Sequence, residues 1–327
     1  MTRAPASAAI LAECTPLERT RAAEAAARVR IDAITDPRAA AFPRTWDLLA
    51  AEFLDRGELE DAAELAALLD AGLIDYGHDR SGTYHLFAAW DGDALVGARD
   101  CYVDIDHRLG VALVSLAHCL VAPPWRRRGL AALLRALPVA LARQQILTRA
   151  GRPLPTLVVA EMEPPSAADP PAIVRLIAYG RAGFAALDPR RLPYAQPDFR
   201  PDPGRHLALP LLGVVRTLEI PAALGPRPAV PVEVAALFPI LFHATHRRYT
   251  PRERVDACEQ NALTALHRSA DPVPLLPLPE GEATLDRLAP LTRAAVLPAY
   301  PPALRGPPGD DAPYQRDAFL AALRGPR

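Results

Sequence analysis

Apolar and polar positions along this chain follow two different periods, and the changes of period mark out its elements. Between residues 42 and 69, large apolar side chains recur every three or four positions: Trp46, Leu49 and Phe53, then Leu65, Leu68 and Leu69. That spacing predicts two helices, Phe42 to Leu54 and Leu59 to Leu69, separated at Asp55-Arg56-Gly57. The pattern then tightens to that of strands. Tyr84 to Trp90, Ala94 to Ile105 and Val111 to Val121 are apolar runs. The turn signals Asp91-Gly92-Asp93 and His107-Arg108-Leu109-Gly110 join them, so they predict an antiparallel meander. Helical spacing returns with Leu130, Leu133, Leu134, Leu137 and Leu141. Pro138 inside that stretch predicts a kink, or a helix that ends early and restarts. Leu157 to Glu163 reads as a strand, Ala172 to Arg181 as a helix capped by Asp169, and His206 to Ile220 as a last strand. Gly183 stands where a helix C-terminus favours glycine.

The flanks read differently. Residues 1–40 are alanine-rich, and Pro16 to Arg30 predicts a surface helix whose apolar face is only alanine. Val232 to Tyr249 reads as a helix despite Pro239. Thr250-Pro251-Arg252-Glu253 has the form of a capping box, and it starts a helix with Val255, Cys258, Ala262 and Leu266 on one face. These two helices are expected to pack antiparallel. Residues 271–327 hold 12 of the 37 prolines, so regular structure there should be short.

Candidate chemistry concentrates at Val121-Ala122-Pro123-Pro124-Trp125-Arg126-Arg127-Arg128-Gly129-Leu130-Ala131, which joins a strand end to a helix start. The first N–H groups of a helix lack internal partners, and the helix dipole adds partial positive charge there. Gly129 allows close approach of an anion, and three arginines add charge. The spacing is neither Gly-x-Gly-x-x-Gly nor the Lys-Ser/Thr loop of nucleoside triphosphatases.

This turn resembles the acyl-coenzyme A loop of the GNAT family of N-acetyltransferases. The family pattern Val-x-Pro-x-Tyr/Trp-Arg/Gln-x-x-Gly-Leu/Ile-Gly/Ala is matched position by position from Val121 to Ala131. Downstream, Tyr179-Gly180-Arg181-Ala182-Gly183-Phe184 resembles the family's Tyr-x-x-x-Gly-Phe. The resemblance spans residues 40–220. It implies an α/β (α+β) fold with a mixed, mostly antiparallel central sheet flanked by helices. The implied organisation is an alanine-rich segment over 1–40, an acetyltransferase domain over 41–220, and a helical, proline-rich extension over 221–327.

The resemblance also implies an activity: acyl transfer from acetyl-CoA, a cosubstrate, to a primary amine by direct attack in a ternary complex, with no metal. Backbone N–H groups of Cys119 and Val121 would bind the pantetheine and the thioester oxygen. Those of Arg126, Arg127, Arg128, Gly129, Leu130 and Ala131 would hold the pyrophosphate. Tyr179 would protonate the departing thiolate, its usual pKa near 10 suiting that task.

The general base stays open. Histone-type members place a glutamate where this chain has Ser115. His118 and Glu161 are the alternatives, with Glu163 on the same strand face as Glu161. Asp100, Asp104 and Asp106 share a face with Tyr102 and read as a solvated sheet face. His243 and His246 are three apart on a helix with no third ligand nearby, which reads as structural rather than metal-binding. The substitution at Ser115 keeps a second reading open: a catalytically inactive GNAT-fold protein that binds acetyl-CoA as a sensor or interaction module.

Composition narrows the partners. Net charge is −1, and no aromatic residues interleave the arginine cluster, which argues against nucleic acid. All 37 basic residues are arginine, so no lysine side chain is present for self-acetylation. The four cysteines lack CxxC spacing and read as small core residues of a reducing compartment. No signal core or run of membrane-spanning length is apparent, so no membrane partner and a cytoplasmic location are expected. The acceptor is expected to be a small-molecule or peptide amine. A homodimer is left open.

Overall fold

The computed structural model describes residues 4–54, 58–198, 208–220, 228–248, 250–306, 309 and 311–325. The chain packs as two compact units, Met1–Val158 and Val159–Arg327, with the boundary inside a strand.

The first unit opens with helices α1 (Ser7–Ala12) and α2 (Pro16–Ala26), then strand β1 (Arg30–Ile34). Helices α3 (Ala41–Phe53) and α4 (Ala62–Ala71) follow. Strands β2 (Ile74–Gly77), β3 (Arg80–Asp91), β4 (Ala94–Asp106) and β5 (Val111–Val121) come next, and then helix α5 (Leu130–Ala150). The expected meander is there: β3 pairs with β4 and β4 with β5, all antiparallel. β1 pairs with β3 along Arg30–Ile34, so the first strand of this sheet lies within the alanine-rich segment. Its five residues were too few to stand out by pattern.

Helices cover both faces of this sheet. On one face, α3 and α4 bury Leu49, Leu65 and Leu68 against Tyr84, Leu86 and Tyr102. On the other, a side chain on Gly97 would meet Leu130 and Leu134 of α5. Asp100, Asp104 and Asp106, expected on a solvated face, are almost completely buried. Each buried carboxylate has partners, as burial of a charge demands: Tyr84 and His118 for Asp100, Tyr76 for Asp104, Arg80 for Asp106.

α5 runs as one helix from Leu130 to Ala150 through Pro138, so the early end expected at the proline does not occur. It ends at Gly151 in the left-handed region, a glycine C-cap. By length and composition α5 could cross a membrane, but 67% of its most apolar window is buried inside the protein. Burial all round of that kind marks a core helix. α1 and α2 pack against it. The alanine face of α2 is therefore an interface with Ala22 and Ala25 buried, not the surface helix expected. Ion pairs Arg135–Glu18 and Arg143–Glu13 fasten the contact.

Strand β6 (Thr156–Met162) crosses the boundary between the units. The second unit continues with α6 (Pro170–Arg181), β7 (Ala185–Leu187), β8 (Ala195–Pro197), β9 (Ala208–Pro210) and β10 (Leu212–Leu218). After these come β11 (Ala229–Val230), α7 (Val232–His246), α8 (Arg252–Leu266), β12 (Val273–Pro277), and two short helices, α9 (Arg293–Val296) and α10 (Arg316–Arg324). β7 pairs antiparallel with β10 on one side and β12 on the other. The C-terminal region thus contributes a strand as well as the expected helix pair, α7 and α8.

The anticipated last strand is two pieces, β9 and β10, broken at Leu211; His206 lies outside the described residues. α8 begins at Arg252, and the Thr250 hydroxyl is buried without a hydrogen bond, so the capping box expected there does not form. Asp169 does cap α6, accepting from the N–H of Ala172 at 3.3 Å.

Candidate functional site

In the first unit the site elements are the end of β5 and the turn into α5. The N–H of Ala122 donates to Val96 O at 2.9 Å, which makes Val96/Ala122 a hydrogen-bonded pair of the β4–β5 ladder. Gly97/Val121 and Arg99/Cys119 are then the alternate pairs. In an antiparallel ladder the backbone groups of such pairs point away from the partner strand. The N–H groups of Cys119 and Val121 therefore face the edge of β5 away from β4. Val121 O confirms the direction, since it accepts from Arg126 Nε at 3.2 Å rather than from β4.

Beyond Val121 the chain makes a single helical turn at Pro123–Trp125. Two left-handed residues, Arg127 (φ 62°) and Gly129 (φ 86°), then redirect it into α5. The left-handed region costs a non-glycine residue about 1–2 kcal/mol, so Arg127 is held there by its surroundings. Trp125 is buried and anchors the turn. The Arg28 guanidinium lies 5.1 Å from its ring centroid and that of Arg128 lies 6.0 Å away. Arg126, Arg127 and Arg128 are exposed and α5 starts at Leu130, so cationic side chains surround the free N–H groups of a helix start.

Gly129 requires a correction. It was expected to allow close approach of an anion. A Cβ on Gly129 would instead lie 2.1 Å from the carbonyl oxygen of Arg21 and 2.8 Å from the N of Ala22. The glycine is needed because the backbone of α2 passes against it.

His118 also reads differently. The β4–β5 register shifts between Arg99/Cys119 and Cys101/Leu116, so Ala117 and His118 bulge opposite Asp100. The His118 N–H donates to Asp100 Oδ1. Its ring Nδ1 donates to Asp100 Oδ2 at 3.0 Å and Nε2 to Glu58 O at 2.7 Å. Both ring partners are acceptors only, so both nitrogens carry protons. Burial pushes the imidazole down, but the Asp100 carboxylate outweighs it and holds the pKa at about 10. A ring protonated at neutral pH has no lone pair for a proton, so a general-base role does not fit His118. Ser115, where a glutamate would stand, is buried in the sheet.

In the second unit, Tyr179 is buried near the end of α6 and packs edge-on against Phe184, with ring centroids 4.9 Å apart. Its carbonyl accepts from the N–H groups of Phe184 and Ala182, both at 3.0 Å, and Gly183 (φ 81°) closes the turn. Gly180 permits a contact that no spacing suggested: a Cβ there would lie 2.2 Å from Pro279 O. The segment after β12 thus lies against the Tyr179 motif, and Arg181 Nε donates to Glu280 O at 2.6 Å.

Glu161 is half-buried and accepts from the Tyr194 hydroxyl. Burial, then the Glu161 charge, raises the Tyr194 phenol well above its usual range, so it stays a donor. Tyr194 is fixed in turn by Phe238 at 4.2 Å and by its carbonyl, which accepts from the Tyr300 hydroxyl at 2.6 Å. These partners come from late in the chain, and no local pattern links them to Glu161. Glu163 is a half-exposed ion pair with Arg175, 2.9 Å apart. His243 is buried, donating from Nε2 to Ala195 O at 3.1 Å, which fits the structural reading. Among the described residues, no group of His, Cys, Asp and Glu side chains is placed to hold a metal ion.

No family model matches the chain, and no curated protein matches it. Solved structures do. An acetyltransferase of the GNAT family from Streptococcus pneumoniae is 12% identical over 58% of this chain and 99% of its own, with a TM-score of 0.35. An Arabidopsis thaliana protein solved with the bisubstrate analogue CoA-Ac-MVNAL is 13% identical over 59% and 99%, at 0.33. An aminoglycoside acetyltransferase from an uncultured soil metagenomic sample, solved with sisomicin, is 18% identical over 42% and 79%, at 0.28. Likeness at these scores bears on no individual residue. The mostly antiparallel sheet flanked by helices agrees with the α/β fold expected from the sequence, and the basic turn joins β5 to α5 where the resemblance put it.

Proposed function

We propose that the protein is an acyl-CoA-dependent N-acyltransferase that moves an acetyl group from acetyl-CoA to a primary amine by direct attack. The observation that carries this reading is the end of β5. The N–H groups of Cys119 and Val121 point away from β4, and the strand leads into a turn of exposed arginines at a helix start. The strand-end groups suit the pantetheine and the thioester oxygen, and the turn suits the pyrophosphate. Donors fixed by a sheet and a helix need no reorganisation as negative charge develops on the thioester oxygen.

As the amine attacks, the C–S bond breaks and the thiolate leaves. Tyr179 is the proposed donor of its proton, supported by the motif and by the anchoring of its ring on Phe184. Glu161 is the proposed proton acceptor, with the Tyr194 hydroxyl fixing its rotamer. The acceptor is a small-molecule or peptide amine, the protein works without a metal, and its place is the cytoplasm. The test is amine-dependent release of free thiol from acetyl-CoA across a panel of primary amines. Binding of acetyl-CoA without thiol release for any amine would favour a non-catalytic binding protein.

A further inference from the structure

The β5 bulge lies immediately before Cys119, where the strand changes from ladder to proposed site. The N–H of His118 points toward β4, but the Asp100 carboxylate takes it with one oxygen while the other takes the His118 ring. The far side of that ring donates to Glu58 O, in the connection between α3 and α4. Phe53 of α3 packs on the ring at 5.0 Å, and the Tyr84 hydroxyl donates to Asp100 at 3.1 Å. Asp100 is 1% exposed. One carboxylate therefore holds both the backbone and the side chain of the bulged residue.

We propose that Asp100 is a positioning residue for the thioester end of the site: through His118 it holds the β5 bulge that aims the Cys119 and Val121 N–H groups, and it ties the α3–α4 connection to the same point. This rests on the acyl-CoA reading above. A strand can close a bulge by slipping one residue, which would turn those N–H groups toward β4. The Asp100 clamp opposes that slip.

The charged groups facing His118 are Asp100 on β4 and Glu60 after α3; Arg99 acts on Asp100 from its own strand. With Asp100 ionised, His118 keeps both protons across the neutral range. In Asp100→Asn the shape survives, but burial then weighs on the imidazole with less opposing charge. His118 should titrate between about pH 5 and 8, where histidines ordinarily do. Below that range the ring Nδ1–H faces the asparagine NH2, donor against donor; above it the neutral Nδ1 can accept from that NH2 while Nε2 still donates to Glu58 O.

The experiment compares the full-length parent, Asp100→Asn, His118→Gln and Asp106→Asn. Asp106 is the control, a buried carboxylate at the far end of β4 bonded to Arg80 and the Leu109 N–H. Circular dichroism should stay near the parent in all three variants, and acetyl-CoA should still bind through the unchanged phosphate turn. Single-turnover rates should fall about tenfold or more in Asp100→Asn and His118→Gln, and little in Asp106→Asn. The ratio of Asp100→Asn to parent rates, which cancels ionisation of the acceptor amine, should be lowest at low pH and rise as pH rises and the ring becomes neutral. Nitrogen-15 histidine spectra of the parent at pH 8 should show one doubly protonated ring, lost in Asp100→Asn.

A neutral His118 in the parent overturns the proposal, and this readout survives if a variant fails to fold. So does a rate in Asp100→Asn within twofold of the parent at every pH, or an equal loss in Asp106→Asn. Absence of amine-dependent thiol release by the parent would instead refute the acyltransferase reading, and this proposal with it.

Discussion

The carbonyl oxygen of Arg21 lies 2.1 Å from where a Cβ on Gly129 would stand. The glycine that heads α5 is therefore wedged against the backbone of α2, a helix from the alanine-rich start of the chain. The proposed phosphate turn and the N-terminal helices are one packed structure, with Arg28 over Trp125 on the same side.

Gly129→Ala follows directly. The residue is left-handed and its Cβ would overlap backbone rather than a flexible side chain, so neither strain nor clash can be relieved locally. Stability should drop by about 2–4 kcal/mol, with α2 displaced. Thermal unfolding and protease sensitivity around residues 16–26 would check this. Full stability with loss of acetyl-CoA binding alone would instead point to a phosphate lying against that glycine.

Tyr179→Phe removes only a hydroxyl. The ring packing on Phe184 and the Gly183 turn should persist. Proton donation is typically worth 10²–10⁴ in rate, so single-turnover acetyl transfer should fall by at least about tenfold. Acetyl-CoA affinity, measured by calorimetry, should stay within about twofold. An unchanged single-turnover rate would leave Tyr179 as a packing residue.

Asp104 supplies a pH dependence with a definite sign. Burial raises its carboxyl from 3.8 to about 7, the Tyr76 hydroxyl opposing only in part. A raised acid destabilises the fold as pH climbs: the cost starts near the unfolded value, grows to about pH 7 and is constant above it. Asp104→Asn keeps the acceptor for Tyr76 at nearly the same volume. It should melt several degrees above the parent at pH 8.5 and alongside it at pH 4. A lower melting temperature at pH 8.5 would show that the charge stabilises the fold.

How far the sequence reached depended on whether the deciding contacts were local. The β3–β5 meander, α5 and the Asp169 cap were legible because period, turn residues and caps act within a few positions. The turn from Val121 to Ala131 was legible because a strand end, prolines, a glycine and a helix start fall in one short stretch. The β5 bulge was not legible. An inserted residue leaves the apolar run Val111–Val121 intact, and only the Asp100 carboxylate across the ladder shows where it falls. For the same reason the face of Asp100, Asp104 and Asp106 looked solvated: alternation marks a polar face, but the partners that make burial tolerable are Tyr84, Tyr76 and Arg80 on other strands. β12 and the Pro279 contact with Gly180 were hidden because they join segments far apart in a proline-rich stretch without periodicity.

Acyl transfer from acetyl-CoA to an amine is tested most directly by the free thiol that the full-length protein releases from acetyl-CoA with and without a panel of primary amines. It predicts thiol release that requires both protein and amine and saturates with acetyl-CoA, with stoichiometric appearance of the acetylated amine. Release that ignores the amine, or none with any amine while the protein remains folded, would contradict it.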